Sequence, residues 1–115
     1  MKETDDVYRY VVENADDYSI LLLDANGKIK SWNKGAGQIK GYKPDELLGN
    51  DFSIFYTKED QEKGLPAQLL LEAKAKGKVL SEGWRRRKDS SLFRADVVIT
   101  ALYDEDNTLM GFSKM

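Results

Sequence analysis

The hydrophobic pattern of this chain changes period several times, and each change marks an element. Behind Thr4, a good helix N-cap, and the first-turn acids Asp5 and Asp6, the residues Val7, Tyr8, Val11 and Val12 recur at helical spacing. They predict an N-terminal helix over residues 3–15. From Tyr18 to Asp24 the chain is rich in apolar residues, Asn26-Gly27 follows, and Ile29 then alternates with Lys28 and Lys30 toward Trp32. Asn-Gly between two such runs predicts a β-hairpin. Asn33 caps a short helix over Lys34 to Lys40 that Gly41 closes, and Pro44 and Gly49 bracket a second. Helices this short need a surface to pack on. Ile39, Tyr42, Leu47, Leu48, Phe52, Ile54 and Phe55 supply the contacts.

Thr57 and Asp60 form a capping-box pattern. The helix they open is interrupted at Gly64 and Pro66, then runs through Leu65, Leu69, Leu70 and Ala73 to Gly77. Three strands follow, over 78–88, 92–103 and from 109 to the end, with turns at Asp89-Ser90 and Asp104–Asn107. Phe93, Ala95, Val97, Ile99 and Ala101 fall on one face of the long strand. Hairpins at both ends with helices between them predict an α+β layout, an antiparallel sheet of about five strands covered on one side. The length of 115 residues fits one domain, with residues 1–15 as a helical cap and 16–115 as the core.

Composition mainly closes options. There is no Cys and no His. That excludes disulfides, thiolate nucleophiles, covalent Cys-linked chromophores, His-ligated haem and the usual general base. The formal charge of −2 gives no overall bias toward nucleic acid or anionic membrane. Arg85-Arg86-Arg87-Lys88 splits between two faces of a strand, so it forms no single basic patch. Acidic pairs such as Asp16-Asp17 and Asp104–Asp106 sit at helix starts and turns, where solvated caps explain them. An enzyme would want a carboxylate pair in an apolar setting, and none is visible. The polar start is no signal peptide and no apolar run approaches a membrane span, so a cytoplasmic location without direct membrane contact is expected.

Trp32-Asn33-Lys34-Gly35-Ala36, followed by Gly41-Tyr42-Lys43-Pro44-Asp45-Glu46-Leu47-Leu48-Gly49, resembles the signature of the PAS domain family. Arg87-Lys88-Asp89-Ser90-Ser91 and Asp104-Glu105-Asp106-Asn107 resemble its C-terminal half, so the resemblance covers the chain from about Asn14 to Met115. It implies a sheet of order 2-1-5-4-3, with short helices and one longer helix over one face and the N-terminal helix outside. It also implies a sensory module of a larger signalling protein of the sensor histidine kinase kind, not itself an enzyme, acting on an output domain of the same chain. A ligand-free dimerisation scaffold is the alternative. Homodimerisation through Val7, Tyr8, Val11 and Val12 is expected in either case. Two departures stand out: Ser90 replaces the Gly usual at the second hairpin, and the chain stops in the last strand, as an excised domain would.

The resemblance leaves a non-covalent flavin or a metabolite open as ligand. A cavity between helices and sheet would be lined by Ile39, Leu48, Phe52, Phe55, Leu69, Trp84, Arg86, Phe93 and Val97. Plain core packing is the competing role for the aromatic group; for Trp84 core packing comes first and a ligand wall second, with a dimer anchor as its role if it faces outward. Arg86 shares the Trp84 face; turned inward, it would demand an anion.

Overall fold

At Asn26-Gly27 the chain turns as its sequence requires. Gly27 takes φ +86°, and the Asp24 carboxylate accepts from the Asn26 and Lys28 amides at 2.8 and 2.9 Å. The turn joins β1 (Leu21–Asp24) to β2 (Ile29–Trp32). The computed structural model describes residues 19–115; the expected N-terminal helix and its Val7, Tyr8, Val11 and Val12 stripe lie outside the described residues.

Asn33 holds the strand-to-helix junction. Its Oδ1 accepts from the Ala36 amide at 3.0 Å, capping α1 (Lys34–Lys40), and from the Ile20 amide at 2.9 Å beside β1. The side chain is buried, so no water replaces it if it is lost. Asn33→Ala should therefore cost about 2 kcal/mol, from a lost cap and an unpartnered amide. Urea unfolding reads this as a lowered midpoint at unchanged slope; a change within error of zero would remove the junction role.

After α1 come α2 (Pro44–Leu47), a 3-10 turn (Phe52–Phe55), α3 (Lys58–Glu62) and α4 (Leu65–Lys76). The helix expected to be interrupted at Gly64 is thus two helices, with Gly64 at φ +73° between them. Then β3 (Lys78–Arg86), β4 (Leu92–Tyr103) and β5 (Leu109–Lys114) complete an antiparallel sheet of order β2-β1-β5-β4-β3. Ser90 occupies the left-handed region at φ +71° in the β3–β4 turn, a position at which Gly would be unstrained.

The segment before α3 spans the cup of the sheet. At one end the Phe52 amide donates to the Gly27 carbonyl at 3.0 Å and the Ile29 amide to the Asn50 carbonyl at 2.8 Å, covering the free edge of β2. At the other end Tyr56 bridges Arg85 on the free edge of β3. Both sheet edges are thereby partly occupied. Phe52, Phe55 and Tyr56 are carried across the inner face, over Leu21, Leu23, Ile99 and Phe112, and all of these are buried.

Candidate functional site

Which residues of β3 face inward is decided by its partner. Arg85 lies opposite Phe93, Gly83 opposite Ala95 and Ser81 opposite Val97. The inner-face alternation of β4 therefore turns Arg85 inward and sends Trp84 and Arg86 to the other side. Trp84 is 49% exposed, with the Arg94 guanidinium 5.3 Å from its ring. Arg86 reaches round to the Ile54 carbonyl at 3.4 Å. Neither lines the cavity. The inward arginine expected at Arg86 is its neighbour, one residue earlier.

Arg85 is 1% exposed. Its Nη1 donates to the Trp84 carbonyl at 3.0 Å and its Nη2 to Ser81 Oγ at 3.3 Å. The guanidinium lies 4.1 Å from the centroid of the Tyr56 ring, while its Nε has no hydrogen-bond partner. Gly83 makes room for it: a Cβ there would stand 3.3 Å from Nη1.

Two lysines converge on the same place. Lys114, on the inner face of β5 between its pairing partners Leu21 and Ile99, is 3% exposed. Its Nζ sits 5.0 to 5.5 Å from the ring centroids of Phe55, Tyr56 and Phe52, and no atom accepts a hydrogen bond from it. Lys40, the last residue of α1, is 4% exposed; its Nζ donates to Ser19 Oγ and lies 4.8 Å from the Phe55 ring. The end of α1 is fixed from outside, because Arg87 Nε donates to the Ile39 carbonyl and the Lys88 amide to the Lys40 carbonyl, each at 3.0 Å. The Tyr56 hydroxyl is buried among these groups without a partner.

Three buried cationic side chains thus share one region, and among the described residues no carboxylate pairs with any of them. Aromatic faces provide partial compensation, on the order of 0.5–2 kcal/mol per contact. Burial outweighs that compensation. Burial, aided by the Arg85 charge, lowers Lys40 to about 8. Burial, with the Lys40 and Arg85 charges behind it, holds Lys114 well below its ordinary value. Tyr56 is pushed up to about 12, burial outweighing the opposing pull of Arg85.

A stability profile follows. An unfolded lysine holds its proton up to about 10.4, whereas folded Lys40 releases it near 8. Between those values the unfolded chain binds more protons, so stability rises with pH. Lys40 alone contributes about 3 kcal/mol at 1.36 kcal/mol per unit, and Lys114 adds in the same direction. Above pH ~10, Tyr56 opposes the rise, because unfolded tyrosine ionises there and folded Tyr56 does not. Without added ligand, the melting temperature should climb from pH 7 to about 9.5 and then level; a flat or falling profile would contradict the burial of these amines as ammonium-disfavouring sites.

A cavity of about 260 Å³ opens onto the cluster, lined by Ser19, Ile39, Lys40, Arg85, Phe93, Arg94, Ala95, Asp96, Val97, Lys114 and Met115. Of the residues expected to line such a cavity, Ile39, Phe93 and Val97 do so. Phe52 and Phe55 stand behind it as the rings around Lys114. Leu69 is buried in the general core of α4, and Leu48 is 61% exposed, turned away just past the end of α2. Lys40, Arg85, Lys114 and the Tyr56 hydroxyl were not foreseen as site groups. The register carried the missing signal: pairing Arg86 with Leu92 across the Asp89-Ser90 turn puts Arg85 opposite Phe93, and Lys114 follows Phe112 by two.

A second cleft of about 330 Å³ lies between the β1–β2 turn, the 3-10 turn and α4. Its polar groups bond one another, Asp51 accepting from the Ser53 amide and Gln61 donating to the Ser53 carbonyl. It therefore presents no comparable unmet demand. Among the described residues, no cluster of three or more Asp or Glu could hold a metal ion, and no helix is long and apolar enough to cross a membrane.

A family model described as the PAS fold matches residues 7–114. Two-component system protein A of Emericella nidulans is 43% identical over 115 residues, a match that covers 100% of this chain and 16% of that protein. Among solved structures, a PAS domain from Colwellia psychrerythraea superposes with a TM-score of 0.88 at 19% identity, covering 96% of this chain and 92% of the other. A domain of a sensory box sensor histidine kinase/response regulator from Geobacter sulfurreducens superposes with a TM-score of 0.77 at 21% identity, over 96% and 92%.

Proposed function

The chain belongs to the PAS fold family, and on that premise we propose that it is the sensory module of a longer two-component signalling protein of the sensor histidine kinase kind. It binds a small molecule between sheet and helices and breaks no bond itself. One observation carries this reading: the inner face that a pure scaffold would fill with apolar side chains instead sets the buried cations Lys40, Arg85 and Lys114 in the wall of an open cavity, with polar atoms of Arg85 and Lys114 left unpartnered behind it. Unmet buried groups cost about 1–3 kcal/mol each, and more when charged, so a site that keeps them is built for something that binds there.

The cavity of about 260 Å³ lies below the ~300–1,000 Å³ that drug-sized ligands occupy. That favours a metabolite over a flavin. Relay runs through the backbone that carries the cluster. Lys114 belongs to β5, the central strand of the sheet, and Lys40 to the end of α1, which the β3–β4 turn grips. A ligand that binds one arrangement of β5 and α1 more tightly than another shifts the population between them, and the rest of the longer protein reads the shift.

The alternative, a ligand-free dimerisation scaffold, draws support from apolar side chains left exposed on the sheet, Leu22, Leu80, Leu92 and Met110 among them. One experiment separates the two. The chain purified from its native cells is scanned from 300 to 700 nm, denatured for mass spectrometry of released compounds, and screened by thermal shift against a metabolite library. The sensory reading expects no flavin band and saturable stabilisation by at least one metabolite. A chain that releases nothing and is stabilised by nothing, yet dimerises, is the scaffold.

A further inference from the structure

We infer that the molecule bound here is a small organic acid, its carboxylate held by Lys40, Arg85 and Lys114, which all line the cavity. This rests on the ligand-sensing reading above and specifies its chemistry. The donor set is one-sided: Lys114 Nζ and Arg85 Nε each have hydrogen to give and nothing to receive it, and neither group can accept. Each belongs to a side chain buried to within a few per cent of completely. A neutral ligand would accept some of these bonds but leave the charge uncompensated. A carboxylate supplies both, and charge-assisted bonds are about twice as strong as neutral ones.

The remaining walls separate an organic acid from an inorganic anion. The exposed Arg94 and Asp96, of opposite charge, line the cavity from β4, so the buried Lys40, Arg85 and Lys114 leave it net cationic. Ile39, Phe93, Ala95 and Val97 form an apolar side, which a hydrated phosphate would leave unfilled and a short carbon chain would cover. Binding restores protons to the lysines as it supplies their counter-charge, so affinity falls as pH rises through the range in which Lys40 titrates.

The test is an amide-resolved NMR titration of the 115-residue chain at pH 6.5 with succinate, propionate, inorganic phosphate and succinamide, the uncharged counterpart of succinate. Succinate or propionate should saturate shifts at Lys40, Arg85, Val97 and Lys114 with Kd below about 1 mM. Affinity should weaken at least ~10-fold in Lys114→Met and in Lys40→Met, the loss of one charge-assisted bond. Each variant's dispersed spectrum shows that it is folded. Saturation by succinamide but not succinate would overturn the acid while leaving the ligand-sensing reading standing. Saturation by phosphate alone would overturn the organic character. No saturation by any of the four at about 10 mM, with a metabolite from the library binding elsewhere, would overturn the site; with no metabolite binding at all, the ligand-sensing reading falls with it.

Discussion

Lys114→Met should make the empty protein more stable while disabling its cavity. Lys114 is 3% exposed, its amine lies among three aromatic rings, and burial together with Lys40 and Arg85 holds it well below its ordinary pKa. A buried amine with no carboxylate partner leaves its desolvation cost unrepaid, and replacing even paired buried ionic groups by apolar side chains of similar volume is often neutral or stabilising by about 1–4 kcal/mol. Methionine is close in length, and its sulfur suits the edges of Phe52, Phe55 and Tyr56. A gain of about 2 kcal/mol would raise the melting temperature by roughly 8 °C for a domain of this size, read by calorimetry on ligand-free protein near pH 7. A lysine kept for structure behaves oppositely, losing stability when removed, and that result would contradict a functional origin for the buried amine. Stability gained at the cost of binding is the usual mark of a residue held for function.

Gly111→Ala should have the largest effect on the fold itself. Gly111 is buried in β5 between β1 and β4, opposite Asp24 and Leu102, at φ +156°. A Cβ there would fall 2.1 Å from the Leu23 carbonyl oxygen. The obstacle is backbone of a paired central strand, so relief requires β1 and β5 to part, and the pairing that positions Lys114 opposite Leu21 parts with them. A loss of about 4 kcal/mol is expected, at the upper end for single substitutions. That is a large fraction of the ~5–15 kcal/mol that holds a domain folded. Equilibrium urea unfolding measures it; a loss under 1 kcal/mol would mean that the strands do not approach as described.

Much of the fold was readable from local chemistry. The Asn26-Gly27 turn, the Asn33 cap and the alternation of Phe93 through Ala101 each depend on residues close in sequence, and each stands where the pattern placed it. The strand order 2-1-5-4-3 came from the family resemblance, since no local pattern states which strands neighbour across a sheet. The site was less legible. An apolar Trp84 next to a charged Arg85 argues, by hydrophobicity alone, for tryptophan inside and arginine outside. A strand has a period of two, so one wrong residue inverts the whole face. The same bias hid Lys40 and Lys114: a lysine closing a helix and another ending a strand both look like solvated ends. What places them inside is long-range, the crossing of Phe52, Phe55 and Tyr56 from one sheet edge to the other. The exposure of Leu48 has a similar origin, because α2 is short and directs Leu47, not Leu48, into the core.

On the proposed reading, this cavity stays cationic until a carboxylate completes it. The most direct measurement is the titration of the lysine Nζ signals by ¹⁵N NMR in the free and succinate-saturated chain. Lys40 should titrate near 8 and Lys114 well below 10.5 in the free protein, with both moving upward when succinate is bound. Lysines that titrate at their ordinary value of about 10.4 in the free protein, unmoved by succinate, would contradict it.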